Sequence, residues 1–245
     1  MKKYFALAAI AFAAIAMVSC EKNSGNEGNE TEDVKRVVVI KDGYDKPGAM
    51  WEFTYNEDGT TQSVNETWSI GTDEEGSWPS EFSYDGNTIV MGEYTCTLGD
   101  KGYVVTLVKG DKTWTLAYNK DNQIVSMTAG EEVFTNEYDN NGNLVKYTTS
   151  EGRSKIQTYD LKSKNWGNTF TTYCEDAPIK RWMYETGYFG NASKNLCAST
   201  KWEDVEVAKT YEYEMDDMGY ITKETMYWEG GLDWTVWYEW ETVTK

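Results

Sequence analysis

The chain has 245 residues, a formal charge of −18 and no histidine. Charge of that sign argues against nucleic acid as a partner, because phosphate backbones select Lys and Arg. The missing imidazole excludes a Ser-His-Asp triad, a Cys-His pair and any His-ligated metal.

The first residues read MKKYFALAAIAFAAIAMVSCEKN. Lys2 and Lys3 precede an apolar run over residues 4–18, and Ser19-Cys20 closes it. The run falls short of the roughly 20 apolar residues a membrane helix needs, so it reads as an export signal. A small residue followed by Cys at this point resembles the bacterial lipoprotein signal, with Met17 where that pattern usually carries Leu. The resemblance implies that Cys20 is acylated and becomes the mature N-terminus. The expected organisation is therefore a signal peptide over residues 1–19, a flexible tether over 20–33, and one domain over 34–245. The tether is rich in Glu, Asn and Gly with nothing to bury. The lipid would supply the membrane affinity.

Past the tether, one motif recurs. Tyr55-Asn56-Glu57-Asp58-Gly59, Tyr118-Asn119-Lys120-Asp121-Asn122 and Tyr138-Asp139-Asn140-Asn141-Gly142 share one pattern, and Tyr213 stands two residues further from its Asp216–Gly219 turn. Tyr84-Asp85-Gly86-Asn87 is a shorter version. Asn or Asp opens such a turn by bonding the backbone two residues on, and Gly or Asn closes it at positive φ. The composition is that of a type I turn with a Gly bulge between antiparallel strands. A calcium loop would need alternating acids and a distant bidentate Glu, and these segments have neither. The flanks MWEFTY and KTYEYEM alternate with period two, the strand signal. Turn residues at Gly59, Gly86, Gly110, Asn122, Gly142 and Gly219 give the rhythm of an antiparallel meander. The predicted fold is a single all-β meander, as a curved sheet or half-open barrel. The one helix candidate is GYFGNASKNL at residues 187–196, and Pro47, Pro79 and Pro178 are all expected near loops.

With Cys20 lipidated, Cys96, Cys174 and Cys197 remain, an odd number. In an oxidising compartment Cys174–Cys197 is the expected bridge, with Cys96 buried in a strand. No Cys-x-x-Cys spacing is present, and neither a metal nor another cofactor is expected.

The stretches GYFGNASKNL and KTYEYEMDDMGYITKETMYW carry the most specific pattern: a Gly-Tyr-Phe-Gly loop, a Ser-Lys-Asn-Leu turn, a Tyr-x-Tyr strand, then an acidic turn with Gly-Tyr. They resemble a family of Bacteroidetes lipoproteins of unknown function with a porin-like β-meander domain. Cys197 stands where that family commonly has Pro, and the tail is unusually rich in Trp. The resemblance implies a fold and an outer-membrane address, on the periplasmic or cell-surface face, and no catalytic residues. A pore is not expected, because Lys223 and Glu224 put a charge on each face of one strand.

Eleven Trp and 18 Tyr are generous for one domain. The densest cluster is Tyr227, Trp228, Trp234, Trp237, Tyr238 and Trp240, flanking the turn at residues 229–233. Trp and Tyr beside carboxylates suit pyranose rings, whose apolar faces stack while their hydroxyls take hydrogen bonds. On this strand Trp234, Tyr238 and Trp240 share one face and Trp237 the other. The alternative reading is that the same aromatics fill a sheet core and its edges. A non-catalytic glycan-binding or accessory role leads. Pairing with a protein partner through a sheet edge is the second reading, and a carboxylate glycoside hydrolase the third.

Overall fold

The computed structural model describes residues 33–171 and 177–244, so the expected signal peptide, Cys20 and most of the tether lie outside the described residues. Sixteen strands are present: β1 Asp33–Gly43, β2 Pro47–Tyr55, β3 Thr61–Trp68, β4 Gly76–Asp85, β5 Thr88–Met91, β6 Tyr94–Leu98, β7 Val104–Lys109, β8 Lys112–Tyr118, β9 Ile124–Ala129, β10 Glu132–Tyr138, β11 Leu144–Thr148, β12 Ser154–Lys164, β13 Asn195–Trp202, β14 Lys209–Met215, β15 Ile221–Trp228 and β16 Gly231–Thr244. Each pairs antiparallel with its sequence neighbours, and β16 pairs back onto β1. The meander thus closes into a complete barrel, where the sequence left a half-open one in view. Closure pairs the two terminal strands, whose edges an open meander would expose.

The two barrel ends use mostly different turns, the exceptions being a bulged turn between β11 and β12 and a two-residue turn between β4 and β5. At one end, five connections share the predicted chemistry. In each, the residue opening the turn bonds the carbonyl four residues on, as Asn56 N–H does to Thr60 O at 2.8 Å and Asp139 N–H to Asn143 O at 2.9 Å. Gly59 and Gly142 take φ of +85° and +79° at the bulge, a conformation a Cβ disfavours. At the other end, two-residue turns such as Gly110-Asp111 and Gly130-Glu131 join β7 to β8 and β9 to β10.

The recurring Tyr has a structural reason. At the bulged-turn end, the Tyr closing a strand donates its hydroxyl to a carbonyl near the start of the preceding strand. Tyr55 reaches Val37 O (2.5 Å), Tyr84 reaches Thr61 O (2.6 Å), Tyr118 reaches Val104 O (2.7 Å) and Tyr138 reaches Ile124 O (3.1 Å). Tyr159 and Tyr213 do the same to Leu144 O (2.8 Å) and Cys197 O (2.9 Å). In the β15–β16 pair Trp240 replaces Tyr, and its Nε1 donates to Ile221 O at 2.7 Å. Among the described residues only β5–β6 lacks such a latch, with Leu98 before its turn.

Much of the barrel interior is apolar, with Ile40, Phe53, Val64, Met91, Leu107 and Met127 all buried. The outer wall is polar. Thr88, Thr97, Thr106, Thr115 and Thr128 lie side by side across β5 to β9. Ion pairs Arg36–Glu241, Lys41–Glu239 and Lys223–Glu214 cross neighbouring strands. A membrane-spanning barrel needs the opposite polarity, with a lipid-facing apolar band.

The connection from β12 to β13 fills the barrel. It contains α1, the single turn Arg181–Tyr184, with Ile179, Trp182, Met183, Tyr184 and Phe189 all buried. Trp182 packs edge-on against Phe82 of β4 with ring centroids 5.9 Å apart. The segment enters at the bulged-turn end, where Asn191 N–H bonds Asn122 O and Lys194 N–H bonds Gly142 O. Gly190 is required there: its φ is +82°, and a Cβ would overlap the Asn122 carbonyl.

Two sequence expectations change. The stretch at 187–196 is not helical; its Gly, Asn and Ser residues serve the plug's contacts with the turns, and β13 begins at Asn195. Pro79 lies within β4, opposite Asn65 of β3. It is tolerated because β5 pairs only with Phe82–Asp85, so the upper part of β4 is an edge needing no donor at Pro79.

Candidate functional site

The mouth at the two-residue-turn end is the candidate site. Trp68, Trp78, Trp228 and Trp234 are exposed by 41%, 68%, 46% and 40%, and all four sit at this rim. The register puts them on the inner face. Asp42, Ala49 and Trp68 are successive partners across β1, β2 and β3, and Glu66 faces Trp78 of β4. Met226 faces Trp234, so Trp228, two residues on, shares that inner face. The tryptophans thus form an arc over the adjacent strands β15, β16, β1, β2, β3 and β4, at roughly 5 Å per strand.

Local contacts fix the rings. Gly76 lets the Trp68 ring lie against the β4 backbone, where a Cβ would meet its six-membered ring. Trp234 donates a side-chain hydrogen bond to Asp42. Lys209 lies 5.6 Å from the Trp228 ring centroid and pairs with Asp233 at 2.8 Å. Lys180, just before α1, reaches Glu66 Oε2 at 3.4 Å. The arc therefore carries flat apolar faces beside carboxylates and two ammonium groups, which can stack a ring and bond its hydroxyls.

Beneath the mouth lies a charged cluster that ties the plug to the wall. Arg181 Nη2 donates to Tyr238 Oη at 2.7 Å and stands 3.8 Å from Glu224 Oε2. Tyr238 in turn donates to Glu224 at 3.3 Å. Burial pushes the Glu224 carboxyl up to about 7, opposed by Arg181 and Tyr238. Glu185 is also pushed up to about 7 by burial, opposed by the Phe170 N–H that it accepts at 3.0 Å. Burial raises Asp42 as well, with Arg181 and the Trp234 bond acting against it. No group of three or more metal-ligating side chains gathers among the described residues.

The six residues expected as one aromatic platform are divided by the barrel wall. Trp228 and Trp234 belong to the mouth. Tyr238 and Trp240 point inward lower down, stacked at 6.2 Å, with Tyr238 fully inside. Tyr227 and Trp237 face outward: Tyr227 donates to Glu212 at 3.1 Å, and Trp237 lies between Lys41 and Lys223 of its neighbours. Cys96 and Cys197 are buried free thiols, and Cys174 lies outside the described residues. Sequence reading did not single out Trp68 and Trp78. Their signal was present as period-two continuations, Glu66-x-Trp68 and Trp78-x-Ser80, but only the register brings them to Trp234.

The fold is similar to that of a solved porin-like protein. That chain, from Bacteroides uniformis ATCC 8492, superposes with a TM-score of 0.64 at 18% sequence identity, over 84% of this chain and 96% of that one. At that identity the likeness is one of fold. No family model matches the chain. No curated protein matches it either.

Proposed function

We propose that this protein is an envelope lipoprotein, anchored through Cys20, that binds glycan without cleaving it at the tryptophan-lined mouth. The observation that carries the reading is the arc of Trp228, Trp234, Trp68 and Trp78, exposed on the inner face beside Asp42, Glu66 and Asp233. Exposing four indoles at one rim loses hydrophobic stabilisation that burial would give, and such patches mark binding surfaces. The filled interior favours a surface ligand over a conducted solute. The polar outer wall supports a domain held off the membrane by a lipid rather than inserted in it. The lipoprotein-like N-terminus and the fold likeness to a Bacteroides protein support the outer membrane as the address. The test is intrinsic Trp fluorescence of the domain titrated with a panel of soluble polysaccharides, followed by sizing of the recovered glycan. A saturable shift with intact product is expected. No response across the panel refutes glycan binding, and shortened product refutes the non-catalytic reading.

A further inference from the structure

Three exposed apolar side chains stand where the chain enters the barrel. β1 begins at Asp33, opposite Thr244, at the bulged-turn end. Lys35 pairs with Asp216 of the β14–β15 turn, and its N–H bonds the Tyr220 hydroxyl at 3.2 Å. Beside that turn Leu161, Trp166 and Met218 are all exposed. The Trp166 ring lies against Gly219, where a Cβ would come within 2.6 Å of it. Asn165 N–H bonds Lys194 O at 3.0 Å and Asn195 Nδ2 bonds Leu161 O at 3.3 Å, which brings Leu161 and Trp166 to the same corner of the barrel. Lys162, Lys164 and Lys194 are exposed there, with Lys164 Nζ 4.9 Å from the Trp166 ring centroid. Asp160 and Asp217 are exposed nearby, and Asp216 is held by Lys35.

Chain length and charge identify what covers this corner. The thirteen residue steps from Cys20 to Asp33 reach at most about 45 Å. β16, with 14 residues, is itself about 45 Å long. An anchor at Cys20 therefore brings the bulged-turn end to the membrane easily, whereas bringing the mouth there would use most of that reach. The mouth is also the wrong charge. Its eight connections, at residues 44–46, 69–75, 92–93, 110–111, 130–131, 149–153, 203–208 and 229–230, each carry an acid. Together they expose twelve acids against Lys46 and Arg153, and an anionic bilayer surface repels such a ring. A Trp flanked by Lys suits the headgroup layer: the indole sits at its edge while the ammonium groups reach phosphates. The anchor holds this corner at high effective concentration, so a small patch suffices.

We infer that, once Cys20 is acylated as proposed above, the bulged-turn end rests on the bilayer surface with Leu161, Trp166 and Met218 in the headgroup layer, and the mouth opens away from it. The contact is interfacial and leaves the polar wall outside the hydrocarbon. The test uses the full chain purified from membranes, with acyl mass on Cys20 confirmed, in vesicles of phosphatidylethanolamine and phosphatidylglycerol. In a Cys174→Ser background, a bimane label is placed by Asp217→Cys at one end or Asp111→Cys at the other, and quenching by lipids brominated high on the acyl chain is read. The label at position 217 should be quenched at least about threefold more than that at 111. Leu161→Ser with Trp166→Ala should lower the quenching at 217 by about half or more while the acyl chain keeps the protein on the vesicles. Equal quenching at the two ends, stronger quenching at the mouth, or an unchanged signal in the double variant would each overturn the inference while leaving the anchor standing. Absence of acyl mass on Cys20 would refute the anchor, and the orientation with it.

Discussion

The two ends of the barrel are built from the same strands and behave as opposites. At the bulged-turn end, five turns of one design, seven aromatic latches and the entering plug satisfy backbone groups many times over. At the other end the turns are mostly short, and four tryptophans remain in contact with water. The contrast teaches where the chain spends its polar and apolar side chains. One end is fastened redundantly, so the other can keep an apolar rim exposed without loosening the barrel.

That contrast can be broken most forcefully at the plug. Trp182→Ala removes a buried indole from between the plug and β4, and the expected loss is about 3–5 kcal/mol, read by urea unfolding. Trp78→Ala at the mouth should change stability by less than about 0.5 kcal/mol in the same assay. Equal losses would erase the distinction between the ends.

Acidity sharpens it next. Glu224 and Glu185 are raised in the folded barrel to about 7, from an ordinary value of about 4.5. The folded state therefore holds protons that the unfolded chain has released between those values. Their contribution is fully present below about pH 4.5 and is lost as pH rises through about 7. Thermal unfolding should thus occur at a lower temperature at pH 8 than at pH 5, and Glu224→Gln should flatten that dependence. A wild-type melting temperature that rises over this interval, or a variant with an unaltered slope, would contradict the assignment.

The smallest effects belong to single latches. Tyr118→Phe removes one hydroxyl from the Val104 carbonyl and should cost about 0.5–1.5 kcal/mol in chemical unfolding. Leu98→Tyr in the one unlatched hairpin should not reproduce that loss. A Tyr118→Phe cost within error of zero would mean the latches are incidental to the barrel's stability.

Much of the wall was legible in the sequence. Turn residues and period-two flanks gave the meander, because both depend on local backbone chemistry. Barrel closure was not legible, because the pairing of Val34 with Val243 joins the two ends of the domain and leaves no local trace. The plug was missed for a related reason. Residues such as Trp182 and Phe189 look like ordinary core side chains, and only closure gives them an interior to fill. The candidate site was half legible. Trp228 and Trp234 stood out by clustering in sequence, whereas Trp68 and Trp78 join them through strand register alone. The same register separates Tyr227 and Trp237 from the group, because adjacent residues on a strand face opposite sides of the wall.

The most direct test compares two double variants of the domain in the polysaccharide titration, once a binding glycan is in hand. Trp68→Ala with Trp234→Ala strips the inner rim, and Tyr227→Ala with Trp237→Ala strips the outward pair. The account predicts that the first weakens binding about tenfold or more while the second leaves it within about twofold. Retained binding in the first variant with loss in the second would place the ligand on the outer wall and contradict the mouth as the functional site.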